Sequence, residues 1–155
     1  MTTPPMRDQI TAMQIRMRRQ AEQEPPPQIR GFGAIAYSPS AGAYGWATDK
    51  QGRESAEWFA TTRCYNAARH IRQYGPVTDV AKVAWGRDIV LALAVNGRGG
   101  YGVGFGPTAR KAERKARRHC PGTGTVVVCV WSAAPEPVGL DHWFAHGEQP
   151  IPRDR

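Results

Sequence analysis

"AIAYSPSAGAYGWA" at residues 34–47 and "ALAVNGRGGYGVG" at residues 92–104 decide how this chain is built. In the first, "AIAY" and "AYGWA" read as two short strands, with "SPSAG" between them as a turn, so the stretch predicts a hairpin. In the second, "ALAV" and "YGVGF" flank "NGRGG", where Asn96-Gly97 suits the positive φ angles of a tight turn. Each hairpin is followed by a helical pattern. Ala56, Ala60, Cys64, Ala67 and Ile71 share one face after the first, and Gly75-Pro76 ends that helix. Pro107 opens the helix after the second, with Thr108 near its cap and Ala109, Ala112 and Ala116 as its inward stripe. "DVAKVAWGRDIVLALAV" supplies two strands broken near Gly86, and "GTVVVCVW" is apolar enough to be a buried final strand.

The recurrence is one of position as well as composition. Ala34-Ile35-Ala36 matches Ala92-Leu93-Ala94, and Tyr44-Gly45 matches Tyr101-Gly102. Ala56, Glu57, Ala60 and Cys64 match Ala112, Glu113, Ala116 and Cys120. A tryptophan closes each copy, Trp85 and Trp131. The expected fold is therefore α+β: a duplicated β-β-α-β unit forming one mixed sheet packed by two helices around a shared core. Alanine along both helix stripes lets the helix axes lie close over the strands.

The domain organisation follows. Residues 1–30 are expected to form an amphipathic helix and a Pro-rich linker, residues 31–132 the duplicated domain (repeats about 31–86 and 88–132), and residues 133–155 an extended C-terminal tail. In the first segment Met6, Ile10, Met13 and Met17 recur at helical spacing, and "EPPPQ" at 24–28 stops the helix. The three segments carry net charges of +2, +8 and −2, so the whole +8 excess is matched by the middle alone. The 155 residues suffice for one domain, and no run reaches the roughly 20 apolar residues of a membrane span. The N-terminal residues have no secretory h-region or cleavage site, from which a cytoplasmic protein is expected.

"FGAIAYSPSAGAYGWA", the helix ending in Cys64 and the second "ALA…GGYGVG…A-E-x-x-A…C…VVVCVW" together resemble bacterial domain-of-unknown-function family 4189, over about residues 31–132. The resemblance implies a small α+β domain, often in exported proteins, with no catalytic motif assigned to the family. It leaves export by another route open. It also implies paired cysteines: a bridge between Cys120 and Cys129 in the second half, and in the first half a partner for Cys64 where this sequence has Val80. In a reducing compartment Cys120 and Cys129 stay buried thiols instead.

The chemistry-bearing motifs are few. "GRGGYG" at 97–102 satisfies G-x-G-x-x-G, but a strand and not a helix follows it, so it reads as a hairpin turn. "ARKAERKARRHC" carries Arg110, Lys111, Arg114, Lys115, Arg117 and Arg118 against Glu113 alone. With its alanines inward, those cations face solvent, where they either remain solvated or contact phosphates. "DHWFAH" spaces His142 and His146 for one metal only if helical, and its flanks favour a docked tail anchored by Trp143 and Phe144. His70 and His119 fit helix C-termini as cations. Ser38 and Ser40 have no histidine beside them in sequence, and no motif defines a catalytic site, a metal site or a cofactor.

Read from these residues, the function expected first is a non-enzymatic protein-interaction module, with a secretion- or competition-associated role drawn from family analogy. Its partner, or a second copy, would be engaged through Met6, Ile10, Met13 and Met17 or through Trp143 and Phe144. The alternative is a nucleic-acid or polyanion binder using the basic helix at 109–120. A hydrolase with a site between the repeats stands third.

Overall fold

The computed structural model describes residues 6–23, 31–71 and 76–146. The Pro-rich linker at 24–30, Gly75 and the last nine residues lie outside the described residues, as do the side chains of Met6 and Ile10. Ten elements follow in order: α1 (Met6–Gln23), β1 (Phe32–Ser38), β2 (Ala43–Lys50), α2 (Arg53–Ile71), β3 (Ala81–Arg87), β4 (Val90–Val95), β5 (Tyr101–Gly106), α3 (Ala109–His119), β6 (Thr125–Trp131) and α4 (Leu140–Ala145). The order β-β-α-β occurs twice, as the repeats require.

The sheet is divided where one mixed sheet was expected. Three antiparallel strands, β2-β1-β3, form one sheet, and β5-β4-β6 form the other, also antiparallel. The alternation of side-chain size explains this. Ala34, Ala36 and Ala47 point to α2 and pack with Ala56, Ala60 and Cys64. Their large neighbours Ile35, Tyr37 and Trp46 point the other way, into a cluster shared with Leu91, Leu93, Val128 and Val130 of the second sheet. A single sheet would leave that bulky face in water. Stacking the two sheets buries it, with β1 meeting β4, β2 meeting β6 and β3 meeting β5. The result is a helix–sheet–sheet–helix sandwich, each helix on the small-residue side.

The two halves are equivalent in detail. Gly45 pairs with Ala36, and Gly102 with Ala94. A Cβ on Gly45 would overlap Ala60 O and Cys64 N of α2, and one on Gly102 would overlap Ala116 O of α3 and the N of Cys120, which caps it. Only glycine lets each helix come this close. The strand register slips at the same place too, between Ile35 and Ala36 in one half and Leu93 and Ala94 in the other. The closing tryptophans, by contrast, are not equivalent. Trp85 pairs with Ala34, whose counterpart Ala92 pairs with Cys129, whereas Trp131 pairs with Val90 and is buried.

Additional segments seal the sandwich. α1 lies against β6 and α3, with Met17 buried and Met13 partly so. In the segment read as an extended tail, Leu140–Ala145 is helical. Gly139, at φ 87°, turns the chain into this helix, and burial of Leu140, Trp143 and Phe144 holds it there. Among the described residues no helix is long and apolar enough to cross a membrane.

Candidate functional site

α3 begins where Thr108 Oγ1 accepts the Lys111 N–H at 3.3 Å. Ala109, Ala112 and Ala116 then face the sheet and leave the other positions to solvent. Arg110, Lys111, Arg114, Lys115 and Arg118 are exposed and Arg117 is half-buried. No carboxylate among the described residues forms a salt bridge with any of the six. The helix's own acid, Glu113, is turned away from them and is 3% exposed. Arg18 of α1 grips it with Nε and Nη2 at 2.7 and 2.8 Å. The outer face therefore keeps its positive charge uncompensated among the described residues.

A second polar cluster is structural. Arg63 of α2 is 2% exposed and reaches Glu136 at 2.6 and 3.0 Å, Asp141 at 2.6 Å and the Trp46 carbonyl at 3.0 Å. Glu136 also accepts the Thr48 N–H at 2.9 Å and Lys50 Nζ at 3.0 Å. Burial by itself raises the Glu136 pKa, but the hydrogen bonds and charge of Arg63, with Thr48 and Lys50, hold it below the usual carboxylate range. This network fixes the segment after β6 to α2 and β2. Neither Arg63 nor Glu136 is singled out by the sequence, because their pairing spans 73 residues.

Asp79 does the same for the first hairpin. It accepts Ser38 Oγ at 2.7 Å, Ser40 N–H at 2.7 Å and Ser40 Oγ at 2.9 Å. The Ser38 hydroxyl is the main reason its pKa falls, with the Ser40 amide next. Both serines are thus donors to a carboxylate that closes a turn. Asn96 plays that part in "GRGGYG", where its Oδ1 accepts the Arg98 and Gly100 amides at 2.8 and 3.0 Å, Gly97 and Gly99 take positive φ, and β5 follows. The glycines shape a hairpin, as expected.

The cysteine bridge implied by the family resemblance is not formed. Cys64, Cys120 and Cys129 are all buried thiols. A Cβ on Gly124 would sit 2.8 Å from Cys120 Sγ, so the sulfur lies at the start of β6. Cys129 is five residues further along an extended strand, roughly 16 Å away at about 3.3 Å per residue. A disulfide spans only about 4.4–6.8 Å between Cα atoms. In the first half Val80 packs with Cys64, Ala34 and Ala36. Burial pushes the Cys64 thiol up to about 12, with Asp79 adding to it, and raises Cys120 as well. These are poor nucleophiles.

His142 and His146 have ring centroids 4.1 Å apart, with His146 Nδ1 2.8 Å from the His142 carbonyl oxygen. Asp141 beside them is taken by Arg63 Nε. No group of three His, Cys, Asp or Glu side chains placed for a metal occurs among the described residues. His119 Nδ1 lies 3.0 Å from the Val103 carbonyl at the end of α3. Concavities of about 310 and 460 Å³ lie beside Asn66, Arg69, His70 and Ala145, and beside Asn96, Arg98 and Pro121–Thr123. Neither places a nucleophile against a base among its described residues. Of the residues offered to a protein partner, Met17, Trp143 and Phe144 are in the protein's own core, Met13 packs against it, and the side chains of Met6 and Ile10 fall outside what is described.

The fold defines a small α+β sandwich of two equivalent halves, each a hairpin, an alanine-faced helix and a returning strand. Residues 32–132 match the family model described as a domain of unknown function, DUF4189, and the chain belongs to that family. Comparison with curated proteins and with solved structures finds no match.

Proposed function

We propose that this protein is a binding module for nucleic acid, held through its phosphates on the outer face of α3. One observation carries the reading: six cations on that face have no salt-bridge partner among the described residues, while the helix's only carboxylate is held inward by Arg18. Neutralising a cluster this dense costs nothing in desolvated counter-charge, and each phosphate contact releases counterions from the nucleic acid. Held through phosphates alone, affinity is expected to be sequence-independent and strongly salt-dependent. Of the residues the protein-partner reading would use, Met17, Trp143 and Phe144 are buried within the fold, which favours the cationic face as the binding surface.

Fluorescence anisotropy with labelled duplex and single-stranded oligonucleotides tests this. Binding at low salt is expected to weaken with a log–log slope of about −3.6 to −5.4 for duplex, the range that four to six phosphate contacts give. Replacing Arg110, Arg114 and Arg118 with Glu is expected to abolish it. Absence of binding at low salt, or unchanged binding by the triple variant, overturns the proposal.

A further inference from the structure

The solvent face of α2 carries a different pattern from that of α3. Glu54, Trp58, Thr61, Thr62, Tyr65 and Arg69 share an arc of about 100° along about 22 Å of helix. Trp58 is 60% exposed and Tyr65 42%. In the other half the positions of Glu54, Trp58 and Thr62 are held by Arg110, Arg114 and Arg118, so the architecture does not require aromatics there. Exposed tryptophan and tyrosine on one stripe are the residues that anchor protein interfaces.

The stripe is self-complementary. The midpoint between Glu54 and Arg69 and the midpoint between Trp58 and Tyr65 both fall between Thr61 and Thr62. We propose that this face binds the same face of a second copy of the chain, antiparallel, about a two-fold axis at Thr61 and Thr62. Under that symmetry Glu54 of each copy meets Arg69 of the other, and Trp58 meets Tyr65, twice over. A parallel arrangement would instead oppose Glu54 to Glu54 and Arg69 to Arg69. Neither Glu54 nor Arg69 has a salt bridge among the described residues, and Arg69 already lies along the stripe, its guanidinium 5.7 Å from the Tyr65 ring. At the axis, Thr61 Oγ1 donates back to the Glu57 carbonyl at 2.8 Å, with that of Trp58 at 3.1 Å, so covering Thr61 leaves its hydroxyl donor satisfied. α2 and α3 lie on opposite outer faces of the sandwich, which leaves the cations of α3 clear of this contact.

Sedimentation of the full chain from micromolar concentration to about 1 mM, the weak end of specific association, tests the inference. A monomer–dimer equilibrium is expected, weakened about tenfold or more by Trp58→Ala. Glu54→Arg and Arg69→Glu are each expected to weaken it, and the double variant to restore it, because the two-fold axis places the reversed charges opposite one another. Circular dichroism confirms that each variant, altered only at exposed positions, is folded. A wild-type chain that stays monomeric throughout, the result expected if a different partner occupies the stripe, overturns the proposal. So does a double variant no tighter than the single ones.

Discussion

Arg18 on α1 holds Glu113 on α3 through two parallel charge-assisted hydrogen bonds, 2.7 and 2.8 Å long, across 95 residues of sequence. The bidentate geometry orients α1 on the sandwich as well as neutralising a buried carboxylate. Glu57, the equivalent acid of the first half, is likewise buried and is met by Arg53 at 3.3 Å and Lys82 at 3.5 Å. Both halves thus bury a glutamate on the inner edge of their helix, and each recruits different cations to it. In the second half that recruitment attaches an extra helix and leaves α3 purely cationic outside.

Replacing Arg18 with Ala leaves Glu113 buried without its main partner. The expected loss is about 2–4 kcal/mol, somewhat below the full range for breaking a buried pair because Arg18 is 15% exposed. Urea denaturation followed by circular dichroism measures it, and Glu113→Gln in the same background is expected to recover part of the loss.

The Arg63–Glu136 network predicts acid sensitivity. The folded-state pKa of Glu136 lies below its ordinary value, so its contribution to stability is complete above about pH 4.3, the unfolded value. It is lost as pH falls through the folded value. Thermal melts between pH 3 and pH 7, about the carboxylate range, are expected to show a shallower acid dependence in Glu136→Gln than in wild type.

The close helix–sheet approach predicts that small residues cannot be enlarged. Gly102→Ala forces α3 off its strand against backbone atoms, and Ala60→Leu or Ala116→Leu overfills a sealed layer; each leucine is expected to cost about 1–3 kcal/mol. Thermal denaturation that found either leucine neutral would remove the inferred layer contact.

The separated thiols predict no response to reductant. Intact mass is expected to be the same with and without reducing agent, and the melting temperature unchanged. Thiol reagents are expected to label Cys64 slowly in the folded protein, because it is 0% exposed and its thiol is held protonated. All three cysteines are expected to react once the chain is unfolded.

The duplicated unit, its two hairpins and both alanine-faced helices are legible in the residues 34–64 and 92–120 themselves. The reason is local: strand alternation, turn glycines and helical spacing act over a few residues, and matching them twice leaves little freedom. The cationic face of α3 is legible for the same reason, since inward alanines dictate which side chains face water. What the tertiary structure alone decided is everything set by distant contacts. The sheets stack face to face because Ile35, Trp46, Leu93 and Val128 find one another across the chain. α1, Trp143 and Phe144 turn inward, Arg63 meets Glu136, and Cys120 is parted from Cys129 by the length of a strand. None of these leaves a mark in local spacing, because burial and charge pairing depend on which surfaces meet rather than on neighbours in sequence.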